Sequence, residues 1–252
     1  MFKAIATRLK QGHQTIEFPP KQTGLPDRYP GRPEIESAKC LTDCRACEDV
    51  CPTNAISLTQ TGPHLDMGRC LFCVACKDAC PAGVINFTGD YRLSVRNRNS
   101  LNLSGKDFLL AGELEGSIRR ILGRSLKLRQ VSAGGCNACE ADVNVLGTLA
   151  YDLGRFGVQF VATPRHADGL LITGPVTQNM ASALTATYDA TPSPKIVIAV
   201  GACAISGGPY ADHPEVNNGC ATTVPVDLYI PGCPPHPFTI LDGILRLIGR
   251  IK

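Results

Sequence analysis

The C-terminal half of the chain alternates short apolar runs with amphipathic segments. The predicted strands are the five apolar runs at 128–133, 158–163, 169–173, 195–200 and 226–230. Helical periodicity falls between some of them, near 139–154 and 178–188, and a last helix is predicted at 237–250. Runs that are apolar on both faces and alternate with helices are typical of a parallel sheet covered by helices. The pattern therefore predicts a doubly wound, flavodoxin-like α/β domain over residues 128–252.

The N-terminal segment, residues 1–38, combines a short amphipathic stretch with a proline-rich extended arm. Phe2, Ile5 and Leu9 fall at helical spacing among lysine and arginine residues. An apolar stripe flanked by cations is typical of a helix that lies on a membrane surface or docks on a partner. A short helix that packs on its own domain is the alternative.

A linker helix is predicted between the two halves, within residues 101–127. The amphipathic pattern runs from Gly105 to Arg124, and its apolar anchors are Phe108, Leu109, Ile118, Ile121 and Leu122.

Composition narrows the function. The 252 residues carry a formal net charge of +3, which gives no case for a nucleic-acid partner. No secretory signal is visible, and no apolar run reaches the roughly 18 residues that span a bilayer. We therefore expect the cytosol or the cytoplasmic face of a membrane, where thiols stay reduced. There, 13 cysteines, an odd and clustered set, indicate metal binding rather than disulfides.

Eight of the cysteines form an internal repeat within residues 39–100, which we predict to be an α+β, ferredoxin-like domain. The first half reads C-x3-C-x2-C-x3-C-P and the second C-x2-C-x2-C-x3-C-P. In such a run three thiolates wrap one cubane, and the fourth cysteine ligates the other cluster. This crossed ligation predicts one site of Cys70, Cys73, Cys76 and Cys51. The other predicted site consists of Cys44, Cys47, Cys80 and Cys40.

The extra residue between Cys40 and Cys44 leaves two alternatives open. A bulge can absorb it, or Cys40 is a spectator and the first cluster has another fourth ligand or only three irons. Zinc is a further alternative for the domain, but zinc sites usually use two well-separated cysteine pairs. We expect two iron–sulfur clusters here.

Four more cysteines follow predicted strands. They are Cys136, Cys139, Cys203 and Cys233. The carboxyl ends of parallel strands lie on one edge of the sheet, which is where open α/β folds bind their cofactors. We expect a third [4Fe–4S] cluster at this edge, with zinc as the alternative. Cys220 lies in a polar loop and is predicted not to be a ligand.

Two resemblances cover most of the chain. Residues 1–100, with MFKAIATRLKQG, YPGRPE and the cysteine repeat, resemble the ferredoxin-like subunit of formate hydrogenlyase and its relative in respiratory complex I. Residues 128–252, with GCNACE, VGACAISGG and PGCPPHP, resemble the small subunit of energy-converting [NiFe] hydrogenases and the cluster subunit of complex I. Complex I subunits typically have adjacent cysteines at the first ligand position. The spacing Cys136-x2-Cys139 is the hydrogenase arrangement.

The resemblance implies an oxidoreductase subunit that is not catalytic alone. It would relay electrons through three [4Fe–4S] clusters to or from a nickel–iron large subunit that makes hydrogen. The donor would be a module that oxidises formate or carbon monoxide, or a ferredoxin. Membrane subunits would anchor it peripherally on the cytoplasmic side. The resemblance also suggests a proton-handling or partner-facing role for Glu140, and the alternative is an acid at a helix N-terminus that complements the helix dipole. Arg165, in the loop before a strand, is a candidate for tuning a cluster potential or contacting the partner, and the alternative is a residue that hydrogen-bonds within its loop. Two alternatives stay open: a complex I-like relay for quinone reduction, and a zinc-stabilised scaffold.

Overall fold

A computed structural model of the chain describes residues 2–12, 14–21, 24–122 and 124–251. Helix α1 (Phe2–Gln11) is present as predicted and buries none of its residues. The arm that follows is irregular and lies against the C-terminal domain, where the Ile16 amide donates to the Ala150 carbonyl (2.7 Å). Within the described ranges, no helix is both long enough and apolar enough to cross a membrane.

The cysteine repeat folds into two small antiparallel sheets with two short helices. The strands are β1 (Pro33–Ile35), β2 (Ile56–Thr59), β3 (Gly62–Asp66), β4 (Ile85–Phe87) and β5 (Asn102–Leu103), arranged as β1–β4 and β2–β3–β5. The helices are α2 (Ala46–Asp49) and α3 (Ala75–Ala79). Each short helix carries the third cysteine of its half, Cys47 or Cys76, and both of these are buried.

The predicted linker helix over Gly105–Arg124 is wrong in its extent. Only α4 (Gly116–Leu122) is helical, and Gly123 of the predicted segment lies outside the described residues. The chain before α4 bonds to other segments instead of to itself: the Ala111 amide donates to Ser94 and the Leu114 amide to Leu247. These tertiary hydrogen bonds satisfy backbone groups that a helix would otherwise pair within itself. In this arrangement the Ala111 and Leu114 side chains are also buried.

The C-terminal domain is the predicted parallel sheet. Its strands are β6 (Leu126–Ser132), β7 (Val158–Phe160), β8 (Gly169–Thr173), β9 (Ile196–Val200) and β10 (Leu228–Ile230), and all of their pairings are parallel. The strand order β10–β9–β8–β6–β7 is the flavodoxin-like order. Strands β8, β9 and β10 are buried along their whole length, as expected for strands covered on both faces.

Four helices complete this domain: α5 (Ala138–Val145), α6 (Gln178–Ala190), α7 (Ala202–Ser206) and α8 (Pro237–Leu247). Helix α5 ends well before the predicted boundary at residue 154. The two faces of the sheet belong to two different cores. One contains α8, and the other is continuous with the apolar interior of the cysteine-repeat domain. The Val95–Tyr229 bridge joins the two domains by pairing on the edge strand β10.

Candidate metal centres

The first candidate centre is a small cavity between the two halves of the repeat. Four cysteines line it, together with apolar neighbours, and they are Cys40, Cys44, Cys47 and Cys80. About 290 Å³ of space, part of it open to solvent, is not filled by atoms. This is the set that crossed ligation predicts, and it includes Cys40.

The second candidate centre is the matching cavity on the other side of the repeat. Its cysteines are Cys51, Cys70, Cys73 and Cys76, again the predicted set, around about 330 Å³ of space. Burial raises the pKa of Cys70 to about 12, and burial together with the neighbouring Cys51 raises the pKa of Cys76 to about 11. Thiols that raise one another's pKa are crowded together, as ligands of one cationic group must be.

Backbone amides point at several of the sulfur atoms. The Ala55 amide donates to Cys51 Sγ (3.2 Å), and the Val84 amide donates to Cys80 Sγ (3.3 Å), at the same offset in each half of the repeat. The Phe72 amide donates to Cys70 Sγ (3.3 Å). Hydrogen bonds to the ligating sulfurs favour the thiolate and help to set a cluster's reduction potential.

The third candidate centre lies at the carboxyl edge of the parallel sheet. Cys136 and Cys139 follow β6, Cys203 is in α7 after β9, and Cys233 follows β10. Burial raises the pKa of Cys139, and the nearby thiols of the other three cysteines raise it further. Burial and the charges of Cys233 and Cys136 likewise raise the pKa of Cys203 to about 12. All four predicted cysteines therefore converge on one place.

Close backbone approach makes this convergence sterically feasible. The Gly201 amide donates to the Ile230 carbonyl and the Ala202 amide to the Gly232 carbonyl, both at 2.8 Å, so the ends of β9 and β10 are tied together. Gly201 has φ +89° and ψ 158°, a conformation that is essentially restricted to glycine. A Cβ at this position would lie 2.5 Å from Cys139 Sγ. Glycine is therefore required beside the third centre.

Glu140 lies beside the third centre but points into the protein. Its side chain is only 7% exposed, and its Oε1 accepts hydrogen bonds from Ser132 Oγ and Thr173 Oγ1, both at 2.6 Å. Burial alone raises the pKa of Glu140, but these two hydroxyl groups outweigh burial and leave the pKa below its ordinary value. Glu140 is thus a buried carboxylate with a lowered pKa, and its predicted proton-handling or partner-facing role stays a prediction.

The structure does not place Arg165 at the third centre, and its role as a partner contact stays a prediction. Arg165 is exposed in a short 3-10 turn (Pro164–His166) that precedes β8. The five residues of β8, about 16 Å of extended chain, separate this turn from the cysteine edge. Cys220 is fully buried, and it is not among the thiols whose charges act on the third centre.

The donor sets fit iron–sulfur clusters. Each centre offers four thiols, the ligand set of a [4Fe–4S] cluster, and the first two also offer amide donors to sulfur. Among the described residues, no set of three or more His, Cys, Asp or Glu side chains is arranged to hold a single metal ion.

The candidate centres and the folds around them define an iron–sulfur protein of the oxidoreductase class. Residues 39–84 match the family model of the 4Fe-4S dicluster domain. Residues 136–247 match the family model described as NADH ubiquinone oxidoreductase, 20 kDa subunit. The chain belongs to this 20 kDa subunit family, with a dicluster domain preceding the family's own domain.

Curated relatives agree with this assignment. A probable membrane-bound hydrogenase subunit of Pyrococcus furiosus is 42% identical over 132 residues, which cover 52% of this chain and 79% of the relative. Formate hydrogenlyase subunit 7 of Escherichia coli K12 is 41% identical, covering 55% of this chain and 54% of the relative. An NADH-quinone oxidoreductase subunit of Clostridium beijerinckii is 44% identical, covering 46% of this chain and 70% of the relative.

Several residues around the centres give no signal in the sequence pattern. The Ser132 and Thr173 hydroxyls end two strands and read as ordinary strand residues, yet both serve Glu140. Ser206, at the end of α7, donates to a backbone carbonyl of the other domain. Only the strand order of the sheet, which places the ends of β6 and β8 side by side, could have indicated the first two.

Proposed function

We propose that this chain is the electron-transfer subunit of a membrane-associated [NiFe] hydrogenase complex and holds three [4Fe–4S] clusters. The observation that carries the proposal is the convergence of twelve cysteines into three sets of four, two in the repeat and one at the sheet edge. When bound, each cluster supplies one-electron redox chemistry. The chain has no catalytic residue of its own in this proposal.

The chain's residues would hold and tune the clusters. In the repeat, the amides of Ala55, Phe72 and Val84 support the negative charge on the ligating sulfurs. At the third centre, the ionised Glu140 places a fixed negative charge beside Cys139. A buried negative charge disfavours the addition of an electron nearby, so Glu140 would lower the reduction potential there.

The surfaces of the chain support the proposed partners. Cys136 and Cys233 are exposed, so the third centre opens to the surface, where a large catalytic subunit would cover it. Helix α1 exposes Phe2, Ile5 and Leu9 among cations, which suits contact with a lipid headgroup surface or with membrane subunits. The name of one relative, a membrane-bound hydrogenase subunit, supports a peripheral place at a membrane, for which we propose the cytoplasmic side. The name of another, a formate hydrogenlyase subunit, supports a formate-oxidising module as the donor, and a carbon monoxide oxidising module or a ferredoxin is the alternative donor.

Metal analysis of the anaerobically purified chain tests the proposal. We expect about twelve irons and as many acid-labile sulfides per chain, with reduced-state EPR signals. Cys203→Ala and Cys40→Ala should each lower cluster content at one centre, whereas Cys220→Ala, the matched control, should keep all twelve. Zinc without sulfide, or loss of iron in the Cys220 variant alone, would overturn the assignment.

A complex I-like relay for quinone reduction is the second candidate. The 44% identity to an NADH-quinone oxidoreductase subunit favours it, whereas the spacing Cys136-x2-Cys139 favours the hydrogenase. Purification of the complex decides between them, because a nickel-containing partner supports the hydrogenase and a nickel-free partner with quinone reductase activity refutes it.

A further inference from the structure

One buried hydrogen bond connects the backbone segments that lead to a cysteine of the second centre and a cysteine of the third. Ser206 Oγ lies 2.9 Å from the Gly68 carbonyl oxygen and 3.1 Å from the Ala202 carbonyl oxygen, and Ser206 is 8% exposed. Ser206 comes three residues after Cys203 of the third centre. Gly68 comes two residues before Cys70 of the second centre. A hydroxyl therefore joins two backbone segments that each lead directly to a cysteine of a different centre.

The Gly68 side of this junction is held rigidly. The Gly68 amide donates to Asp66 Oδ1 (2.8 Å), and the Asp66 carboxylate also accepts two hydrogen bonds from the Arg98 guanidinium, at 2.8 and 2.6 Å. The Cys70 amide donates to the Asp66 carbonyl (3.1 Å). A bidentate arginine–carboxylate pair fixes orientation as well as distance. The loop from Asp66 to Cys70 thus keeps one conformation.

The other side of the junction is packed against this loop. All five residues of α7 are buried, and the Gly207 amide closes the helix on the Cys203 carbonyl (2.9 Å). A Cβ at Gly68 would lie 2.8 Å from Ile205 Cγ2 and 2.7 Å from Arg98 Cζ. The absence of a side chain at Gly68 is what allows α7, which carries Cys203, to approach the Cys70 loop this closely.

We propose that Ser206 is a positioning residue that sets the coupling between the second and third centres. This inference rests on the proposed function, because it requires clusters at both centres. Ser206 provides a continuous bonded route from the Cys203 helix to the Cys70 loop, and it fixes the separation of the two ligand segments. In the transfer step one electron leaves one centre and enters the other, and no bond forms or breaks. The Cys40 centre, on the far side of the repeat, has no part in this junction.

Ser206→Ala tests the assignment, with Ser94→Ala as the matched control. Ser94 is another buried serine (0% exposed), and its Oγ contacts the backbone carbonyl of Thr239 in another segment (3.4 Å), but Ser94 leads to no cysteine. In the anaerobic full chain we expect both variants to keep their iron. Only Ser206→Ala should narrow the magnetic splitting between the reduced second and third clusters in EPR and slow electron transfer between them several-fold after flash reduction.

A second variant, Gly68→Ala, approaches the same junction from the other side. Because its Cβ must displace Ile205 or Arg98, we expect the same loss of splitting even though the Ser206 hydroxyl remains. If the wild-type chain binds no iron, the proposed function fails. In another outcome, all variants keep their full iron content, and the EPR splitting and the electron-transfer rate in Ser206→Ala and Gly68→Ala equal those in Ser94→Ala. That outcome would leave the proposed function standing and refute the positioning role of Ser206.

Discussion

Gly201→Ala should remove the third cluster and leave the other two in place. The new methyl carbon would lie 2.5 Å from Cys139 Sγ, a separation far inside van der Waals contact. Cys139 cannot retreat easily, because it is partly buried and the ends of β9 and β10 are tied through the amides of Gly201 and Ala202. The methyl group and the thiolate must therefore compete for one position.

The substitution has two costs that can be separated. At φ +89° and ψ 158°, a non-glycine residue pays backbone strain of about 1–3 kcal/mol wherever it occurs. The clash with Cys139 is additional and specific to this position. Gly89→Ala is the matched control, because Gly89 also has a positive φ (+73°) but nothing lies within 4 Å of its missing Cβ.

Iron and sulfide analysis with EPR of the anaerobically purified variants measures the outcome. We expect Gly201→Ala to fall from about twelve to about eight irons per chain, since one cubane holds four. Gly89→Ala should keep all its iron and show only the loss of stability. A Gly201→Ala chain with full iron content and an unchanged third EPR signal would refute the placement of Cys139 beside Gly201.

Two further predictions concern helix α8 and its N-cap residue. Arg246→Met should lower the free energy of unfolding by about 3–5 kcal/mol, measured by urea titration, because it leaves Asp242 (1% exposed, 2.8 Å from Arg246 Nε) as an unpaired buried charge. Adding Asp242→Asn should recover part of that loss, and no recovery would contradict the reasoning. Burial lowers the pKa of His236. Below about pH 6.5 the unfolded chain therefore binds a proton at this residue more readily than the folded chain does, and the free energy of unfolding falls as the pH falls through that value. In the wild type the Phe238 amide donates to His236 Nδ1 (3.1 Å), and His236→Asn keeps a capping acceptor there but does not titrate. The urea midpoint of this variant should therefore change less with pH than that of the wild type, and an equal change would count against this explanation.

Local spacing was enough to predict which cysteines share a cavity in the repeat. Crossed ligation follows from two adjacent loops that each hold three thiols, and the structure places the predicted sets around two cavities. The parallel sheet was predictable from a different local signal, since its strands β8, β9 and β10 are apolar on both faces. The ligand roles themselves remain predictions that metal analysis must test.

Long-range contacts decided what the sequence pattern could not predict. The segment before α4 has the periodicity of a helix, but its amides bond to Ser94 and Leu247, so tertiary contacts override the local preference. Its place in the loop before a strand makes Arg165 a candidate for tuning a cluster or contacting a partner, and the partner contact stays a prediction. The direction of β8 places Arg165 at the opposite end of the sheet.

The extra residue between Cys40 and Cys44 makes the two centres of the repeat unequal. Cys51 and Cys80 accept equivalent amide bonds, so the repeat is preserved at that position. Cys70 also accepts from the Phe72 amide, whereas in the described structure Cys40 has no such donor and its Sγ instead lies 3.9 Å from the Leu41 carbonyl. Segments 40–45 and 58–62 also line an open groove beside Cys40. Sulfur hydrogen bonds and solvent exposure both set cluster potentials, so the two proposed clusters of the repeat would differ in potential although each would have four cysteine ligands.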